Sequence, residues 1–354
     1  MKKIFIMCPT YRAPNSKVNF RIYGVISLIE QMRKQNFKGA IKMAFVDSSQ
    51  EPHPFFKTWN NDNSDDILYF HIPDRNNVNK QILKKFPYAS SFIPSDKDMK
   101  TEKWNKIKER YTAWDNFIPW DKNYPVETTL KQQIERLRPT IGMKRNFAIA
   151  ALFEKFGDAD YICYADDDDF RKYDYIQTII NNIGDNDFAR MFNFYTFVVQ
   201  TNKWGLYKID LKKDINGNWL PSKETLHMEM YNGLDHDKVV YKRYTVEQRF
   251  PPLLSLALPH LSCEGALQTF KFKLWQDTIE QFGGIPIISL AEDIIFYRNC
   301  KDYFGHNFKS DEIKVEEPSF LKCGDGDNGL YIIIFPKIII VSIADIISIP
   351  KFFK

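Results

Sequence analysis

Short apolar runs typical of buried strands alternate along the chain with longer segments whose apolar residues recur at helical spacing. Residues 4–8 form the first run, residues 25–32 follow helical spacing, and residues 41–46 form a second run. A strand, a helix and a strand in this order are typical of a parallel, right-handed βαβ unit. A further strand-like run, at 161–164, follows a predicted helix over 142–157. The pattern therefore predicts an α/β fold with a largely parallel sheet.

The region between the second and the later strands is less regular. Residues 52–139 are interpreted as a long insertion that contains one strand-like run, at 67–72. Within it, aromatic and apolar residues recur at helical spacing beside basic ones: Trp104, Ile107, Tyr111 and Trp114. Such a stripe favours a helix packed on the core, with a membrane or an acidic acceptor as the alternative contact.

The second half of the chain continues with strands and helices. The same criteria predict strands over 189–199 and 206–211 and helices over 173–183, over 267–282 and from residue 292 onward. Asn216-Gly217 lies between two strand-like stretches and is a strong hairpin signal, which we favour over a calcium loop. Gly283 and Gly284 indicate a turn before the last of these helices.

Composition narrows the class of protein. With 354 residues, 44% of them hydrophobic, the chain is long enough for one large or two smaller domains with a sizeable core. Its 49 basic and 45 acidic residues leave a net charge of +4, which makes no case for a nucleic-acid partner. The five cysteines are odd in number and widely spaced, and only five apolar residues lie between the basic Lys2-Lys3 and Pro9, too few for a secretory signal. We therefore expect a cytoplasmic protein with reduced thiols.

The last stretch of the chain is dominated by isoleucine but is interrupted by Pro336, Lys337 and Asp345. No uninterrupted run reaches the roughly 18 to 20 apolar residues that a spanning helix needs. Residues 331–354 are therefore expected to lie peripherally in the inner membrane interface, or to pack on the domain or on a second subunit. We divide the chain into a domain over 1–310 and a tail over 311–354, and leave the oligomeric state open.

Four consecutive carboxylates, at 166–169, directly follow the strand-like run at 161–164. They fall at the carboxyl end of a strand, where open α/β sheets bind their ligands. In an extended backbone Asp166 and Asp168 lie on the same side and can face one hard divalent cation. Capping the next helix, the alternative role, needs only one or two carboxylates. The stretch therefore predicts a metal or ligand site.

Other polar residues stand at the ends of predicted elements in the same way. Thr10 and Tyr11 come after the first strand, and Asp47 comes after the second. Lys144 and Arg145 lie in the helix that feeds the acidic strand end. We expect both basic residues near the same anionic ligand.

Two acidic residues, Glu292 and Asp293, begin the helix that follows the glycine turn. Carboxylates in this position complement the positive end of a helix dipole. An aspartate there would also be well placed as a general base if it faced the pocket.

Taken in order, these segments resemble those of a family 2 glycosyltransferase with the GT-A fold. The resemblance covers about half of the chain, residues 1–50, 138–180 and 260–300. The matching segments are Pro9-Thr10-Tyr11, Val46-Asp47-Ser48-Ser49, Gly142-Met-Lys144-Arg145-Asn146, the acidic run at 166–169, and Gly283-Gly284 followed by Glu292-Asp293. It implies a Rossmann-like, mixed but mostly parallel sheet flanked by helices, with residues 52–139 as an insertion and a short apolar C-terminal tail.

The resemblance also implies which residues bind the donor. Pro9, Thr10, Tyr11 and Asp47 would surround the base and ribose of a nucleotide-diphosphate sugar. Lys144 or Arg145 would lie near the diphosphate, and Asp167 and Arg298 would be further donor contacts.

The catalytic and metal residues follow from the same resemblance. Asp166 and Asp168 would be the DXD pair of the family, and Asp168, assisted by Asp166 or Asp169, would hold magnesium or manganese. The cation would stabilise the diphosphate leaving group as a Lewis acid. Asp293 would take the proton of the acceptor hydroxyl in a single, inverting displacement, with Glu292 as the less favoured base.

The implied activity is the transfer of one hexosyl or N-acetylhexosaminyl group, with a UDP-sugar as the first candidate donor. The acceptor would be a glycan or a lipid-linked molecule in the synthesis of surface polysaccharide or glycoconjugates, with residues 185–265 shaping its side of the site. The chain has no Gln-x-x-Arg-Trp motif and no cluster of spanning helices, so we expect one sugar per encounter.

Two other functions remain open at this stage. A nucleotidyltransferase also uses an α/β sheet and metal-binding carboxylates, but it would typically have a glycine-rich phosphate loop where Pro9-Thr10-Tyr11-Arg12 stands. A non-catalytic glycan-binding module would be favoured if Asp293 pointed away from the acidic run.

Overall fold

The computed structural model describes residues 1–12, 20–107, 137–167, 169–191, 194–198, 203–213, 219–232, 239–244, 268–288, 292–313 and 320–324. The described strands, in chain order, are β1 (Lys3–Thr10), β2 (Ala40–Asp47), β3 (Ile67–His71), β4 (Tyr161–Tyr164), β5 (Phe170–Arg171), β6 (Phe188–Met191), β7 (Phe194–Val198), β8 (Lys203–Lys213), β9 (Trp219–Asn232), β10 (Val239–Tyr244), β11 (Gln268–Lys271), β12 (Ser310–Ile313) and β13 (Phe320–Gly324). The α-helices with described bounds are α1 (Phe20–Arg33), α2 (Lys80–Lys85), α3 (Pro87–Ser90), α4 (Ile141–Phe156), α5 (Tyr175–Ile183), α6 (Phe272–Phe282) and α7 (Glu292–Phe304).

A seven-stranded sheet in the order β12-β6-β11-β4-β1-β2-β3 forms the centre of the fold. β1 is parallel to β2 and to β4, and β2 is parallel to β3. β11 is antiparallel to β4 and to β6, whereas β12 is parallel to β6. The predicted fold class, a Rossmann-like, mixed but mostly parallel sheet flanked by helices, is therefore confirmed.

Alternate residues of the central strands fill two hydrophobic cores, one on each face of the sheet. Phe5 and Met7 of β1 pack with buried residues of α4, α6 and α7, whereas Ile4 and Ile6 pack with those of α1 and α5. Both faces of a parallel sheet are covered in this way, which explains why its strands are continuously apolar. The covering helices position the residues at the carboxyl ends of the strands.

A second sheet has six strands in the order β10-β9-β8-β7-β13-β5. The single strand predicted over 189–199 is in fact two strands, because β6 belongs to the first sheet and β7 to the second. The strand predicted over 206–211 lies within β8, which is antiparallel to β9. The pair of the two strands nearest to the turn is Lys213 and Trp219. These two strands flank the predicted hairpin turn, whose own residues lie outside the described part of the chain.

The predicted helix over 267–282 is wrong in its first part. Gln268–Lys271 forms β11, and the helix α6 begins only at Phe272. β11 forms hydrogen bonds with a strand on either side, and this tertiary pairing overrides a local apolar pattern that also suits a helix.

Part of the 52–139 region belongs to the central sheet, since its predicted strand is β3, paired with β2. Trp104 is buried in the core, as the favoured interpretation of the aromatic stripe requires, while Tyr111 and Trp114 lie outside the described residues. So do residues 251–267 and 325–354. In the described part of the chain, no helix combines the length and the apolar character needed to cross a membrane.

Candidate active site

The ends of three parallel strands bring distant sequence segments together. β1 ends at Thr10 and β2 at Asp47, which are paired in register, and the acidic run follows β4. The backbone N–H of Ser48 donates to the carbonyl of Thr10 at 3.1 Å. Because parallel strands share their carboxyl ends, residues up to 157 positions apart lie at one edge of the sheet, as Thr10 and Asp167 show.

Asp47, the last residue of β2, is completely buried. Its carboxylate accepts hydrogen bonds from the backbone N–H of Ser49 at 2.9 Å and from the hydroxyl of Tyr69 at 2.8 Å, and the Arg12 guanidinium lies 3.7 Å away. Burial and the neighbouring Asp47 charge raise the pKa of Tyr69, so that its hydroxyl stays a donor. These contacts fix the orientation of the Asp47 carboxylate.

Two basic residues complete this side of the edge. The buried Lys144 of α4 donates from Nζ to the carbonyl of Thr10 and to the hydroxyl of Ser48, both at 3.1 Å. The guanidinium of Arg138 lies 3.8 Å from the centre of the Tyr11 ring, a cation–π contact. Basic groups therefore lie around the ends of β1 and β2, beside the carboxylates of Asp47 and Asp167.

The acidic run at 166–169 lies next to this region. The hydroxyl of Thr10 donates to Oδ2 of Asp167, and both residues are buried. Asp169 is also buried, whereas the Asp166 side chain is 30% exposed. Asp168 is outside the described residues; among those described, no group of three or more histidine, cysteine, aspartate or glutamate residues could hold a metal ion. The predicted metal ligands remain a prediction.

Arg145 of α4 links the acidic run to the start of α7. Its Nη2 lies 3.5 Å from Oδ1 of Asp166 and 3.3 Å from Oε1 of Glu292, and its guanidinium stacks 3.9 Å from the centre of the Tyr164 ring. Burial alone would lower the pKa of Arg145, but the two carboxylates outweigh it and hold that pKa above its usual value. Arg145 is therefore charged, and among the described residues its buried Nε and Nη1 have no hydrogen-bond partner.

Glu292 and Asp293, the predicted acidic pair, both lie in the first turn of α7 and are buried. Burial raises the pKa of Glu292, although Arg145 opposes this effect. Nε2 of Gln268 lies 3.5 Å from Oδ2 of Asp293. The carboxylate of Asp293 thus lies against the central sheet, on the same side as Arg145.

A joint of hydrogen bonds connects α4 with the 283–288 turn, which precedes α7 in the chain. Oδ1 of Asn146 accepts from Nε1 of Trp275 and from the backbone N–H of Ile285, both at 2.9 Å, and its Nδ2 donates to the carbonyl of Ile285 at 2.7 Å. Gly284 has a φ of +80°, and a Cβ there would lie 2.6 Å from Oδ1 of Asn146. Only glycine suits this turn.

Several of these residues were not predicted from the sequence. Gln268 was assigned to a helix, and no local signal marks it. The sequence did mark both sides of the joint, because Asn146 follows Lys144 and Arg145 in the matching segment and Gly283-Gly284 indicates a turn. It did not indicate that the two sides are in contact.

Two predicted donor residues lie less centrally. Pro9 is a partly buried residue within β1, and Arg298 is about two turns along α7, where its Nε lies 3.9 Å from Oδ2 of Asp302. The other predicted residues of the described part lie at the sheet edge or at the start of α7.

Comparison with known proteins does not establish a family. No protein-family model and no curated protein matches the chain. Among solved structures, the S. aureus TarS fragment 1–349 is 12% identical over 91% of this chain and 60% of that chain, with a TM-score of 0.39. The same fragment in complex with UDP is 12% identical over 92% and 61%, with a TM-score of 0.38. The chain thus spans about three fifths of the length of the TarS chains it matches.

A third similar structure is a CMP:2-keto-3-deoxy-manno-octonic acid synthetase complexed with CTP. It is 6% identical over 90% of this chain and 92% of that chain, with a TM-score of 0.31. TM-scores this low identify neither a family nor an activity for this chain.

Proposed function

We propose that this protein is an inverting glycosyltransferase of the GT-A type and of family 2. It would move one sugar from a nucleotide-diphosphate sugar to a hydroxyl of a glycan or lipid-linked acceptor. The observation that carries the proposal is the link made by Arg145, which joins Asp166 of the acidic run to Glu292, the neighbour of Asp293. Acidic groups with different roles are thereby held at one edge of the sheet.

The donor would bind across the ends of β1 and β2. Asp47, which Ser49 and Tyr69 hold in place at the end of β2, would accept hydrogen bonds from ribose hydroxyls. Tyr11 offers an aromatic ring to a base, and Lys144 brings a positive charge to the end of β1, where a diphosphate would gain from it. A UDP-sugar is the donor that we would test first.

A divalent cation, magnesium or manganese, would supply Lewis-acid stabilisation to the departing diphosphate. Carboxylate oxygens are suitable ligands for such hard cations. Asp166, which is partly exposed, would hold the ion together with Asp168 and Asp169.

Asp293 would be the general base. In the reaction, its carboxylate takes the proton from the acceptor hydroxyl while that oxygen forms the new bond to the anomeric carbon, and the nucleotide diphosphate leaves with the electrons of the broken bond. Glu292 is engaged by Arg145, which makes it less suitable for this role. The transferred group would be a hexosyl or N-acetylhexosaminyl group, in surface polysaccharide or glycoconjugate synthesis at the cytoplasmic side of a membrane.

The test is a panel of nucleotide-sugars incubated with the protein in manganese, in magnesium and in chelator, with release of nucleotide diphosphate as the readout. We expect turnover of one donor, dependence on the cation, and a drop of about 100-fold in Asp293→Asn. The control is Asp277→Asn, which removes an exposed carboxylate paired with Lys273 on α6 and should leave turnover unchanged.

Two results would contradict the proposal. Release of pyrophosphate instead of nucleotide diphosphate would indicate a nucleotidyltransferase. The absence of both turnover and calorimetric binding for every nucleotide in the panel would favour a glycan-binding module without catalysis.

A further inference from the structure

Gln268 is a fully buried polar residue in the interior of the central sheet. It begins β11, which lies between β4 and β6, and it is paired in register with Arg190 of β6. Phe270, on the same face of β11, is completely buried in the hydrophobic core. An apolar side chain would suit this environment better, because a buried amide is unfavourable unless its hydrogen bonds are made.

The side-chain amide of Gln268 faces the carboxylate of Asp293 at 3.5 Å. Its nitrogen, and not its oxygen, must be the atom that faces a carboxylate, because only the amide nitrogen can donate. The amide oxygen Oε1 is buried and has no hydrogen-bond partner among the described residues. Among the described residues, the contact that the Gln268 side-chain amide makes is the one with the Asp293 carboxylate.

We infer that Gln268 is a positioning residue, which holds the Asp293 carboxylate in the orientation required to accept a proton from the acceptor hydroxyl. This inference rests on the proposed function, in which Asp293 is the base. The first turn of α7 fixes the backbone of Asp293, and the contacts of its side chain decide the orientation of the carboxylate. A donor on a central strand restrains one carboxylate oxygen and therefore the plane of the group.

A neutral donor is well suited to this task. A lysine or arginine in the same place would hold the carboxylate more strongly, but its charge would lower the pKa of the base and weaken it. The charged and titratable groups that act on Asp293 include Arg145 from α4 and Tyr164 from β4, and Glu292 precedes it in the first turn of α7. Gln268 adds orientation to this set without adding charge.

The test compares Gln268→Met, which has a similar volume and no amide, with the wild-type protein. We expect kcat for donor turnover to fall about 10-fold while the KM for the donor changes less than about 2-fold, because only the base is misplaced. The acid limb of the kcat profile should move to higher pH by about half a unit, since a lost hydrogen bond to the charged form raises the pKa of the base. The free energy of unfolding should stay equal or rise.

Thr269→Val is the matched control. Thr269 is the next residue of β11 and lies on the opposite face, where its hydroxyl contacts Sγ of Cys163 at 3.1 Å. This variant should leave kcat and its pH profile unchanged. An unaltered kcat and pH profile in Gln268→Met would overturn the inference, and so would a loss of stability large enough to explain the lost turnover.

The contact between Gln268 and Asp293 can also be tested without any enzymatic activity. If wild-type protein turns over no donor, the contact is tested by urea unfolding of Gln268→Met, Asp293→Ala and the double variant. Zero coupling between the two positions would overturn the contact itself. A measurable coupling would support it even though the glycosyl-transfer proposal had failed.

Discussion

Buried charged residues determine what the edge of the central sheet can do. Arg145 is a charge in the protein interior, and it is tolerated because Asp166, Glu292 and the ring of Tyr164 surround it. The same contacts commit Glu292 to an ion pair. The acidic pair at the start of α7 is thereby divided into one residue that binds an arginine and one that faces Gln268.

Replacing Arg145 with methionine should destabilise the protein by about 3–5 kcal/mol at pH 7.5, because the buried carboxylate of Glu292 and the partly exposed carboxylate of Asp166 lose a counter-charge. The pKa of Glu292, which burial already raises, should rise further without Arg145, so protonation relieves the penalty. The difference from wild type should therefore shrink as the pH falls towards about 4. Urea unfolding at both pH values is the measurement.

Two further variants make this experiment specific. Adding Glu292→Gln to Arg145→Met should recover part of the lost stability, since the buried carboxylate that lost Arg145 is then removed as well. Arg33→Met, which removes an exposed ion pair with Asp66, should change stability by less than about 1 kcal/mol. Equal effects of Arg145→Met and Arg33→Met would contradict the buried-charge argument.

Cys163 of β4 offers a prediction on pH dependence. Burial raises the pKa of its thiol to about 12. A group whose pKa is raised in the folded state contributes stability below its unfolded pKa, about 8.5, and this contribution is lost as the pH rises towards the folded pKa. At pH 10 the wild-type protein should have lost about 2 kcal/mol through this group.

Chemical unfolding of Cys163→Ala between pH 8 and pH 10.5 checks that expectation. The variant should lose less stability than wild type over this interval, whatever the cost of the missing sulfur at neutral pH. If the stability of both proteins depended on pH in the same way, the thiol would titrate alike in the folded and the unfolded chain, which would contradict the prediction.

At the scale of elements, the joint holds α4 against the 283–288 turn. The N-terminal end of α4 is held there by a hydrogen bond from the N–H of Gly142 to the carbonyl of Ile288, at 2.9 Å. A Cβ at Gly142 would lie 1.6 Å from the carbonyl oxygen of Pro286. The close approach of two backbones therefore requires glycine, in a helix turn where alanine would otherwise be preferred.

Gly142→Ala should therefore destabilise the protein, by about 3 kcal/mol or more. Helix propensity alone predicts the opposite sign, a gain of about 1 kcal/mol. Thermal and urea unfolding of the variant distinguish the two. A more stable variant would show that α4 does not approach the turn as closely as described.

At the scale of the whole molecule, the candidate site exists only because the central sheet is assembled. Thr10, Asp47 and Tyr164 end three strands that are neighbours in the sheet, although 37 and 117 residues separate them along the chain. Lys144 and Arg145 come from a helix packed on one face of that sheet. A ligand that binds at these strand ends binds only the folded protein and should therefore raise its free energy of unfolding.

We expect a nucleoside diphosphate and manganese together to raise the melting temperature more than the sum of their separate effects, because such cations bind through carboxylates and substrate phosphates at once. At a ligand concentration of about 100 times Kd, the stabilisation should be about 2.7 kcal/mol. Thermal denaturation with UDP, manganese, both and chelator is the measurement. Strictly additive shifts would contradict a shared site.

The outcome of the sequence predictions depends on how local their signals are. Elements with a clear hydrophobic period can be predicted, because that period is visible within a short stretch of sequence. This applies to β1, α1, β2, α4 and β4. The strand β11 was missed, since its four residues suit a strand only when β4 and β6 lie on either side. For the same reason no pattern separated β6 from β7 or indicated a second sheet.

The sequence by itself determined which residues are apolar, where parallel strands end and which polar side chains follow those ends, because these features depend on neighbours along the chain. Only the tertiary structure decided which of these side chains meet. The ion pair of Arg145 with Glu292, the contact of Gln268 with Asp293 and the joint at Asn146 each connect residues more than 20 positions apart. Such contacts form when the sheet and its helices pack, and no local pattern encodes them.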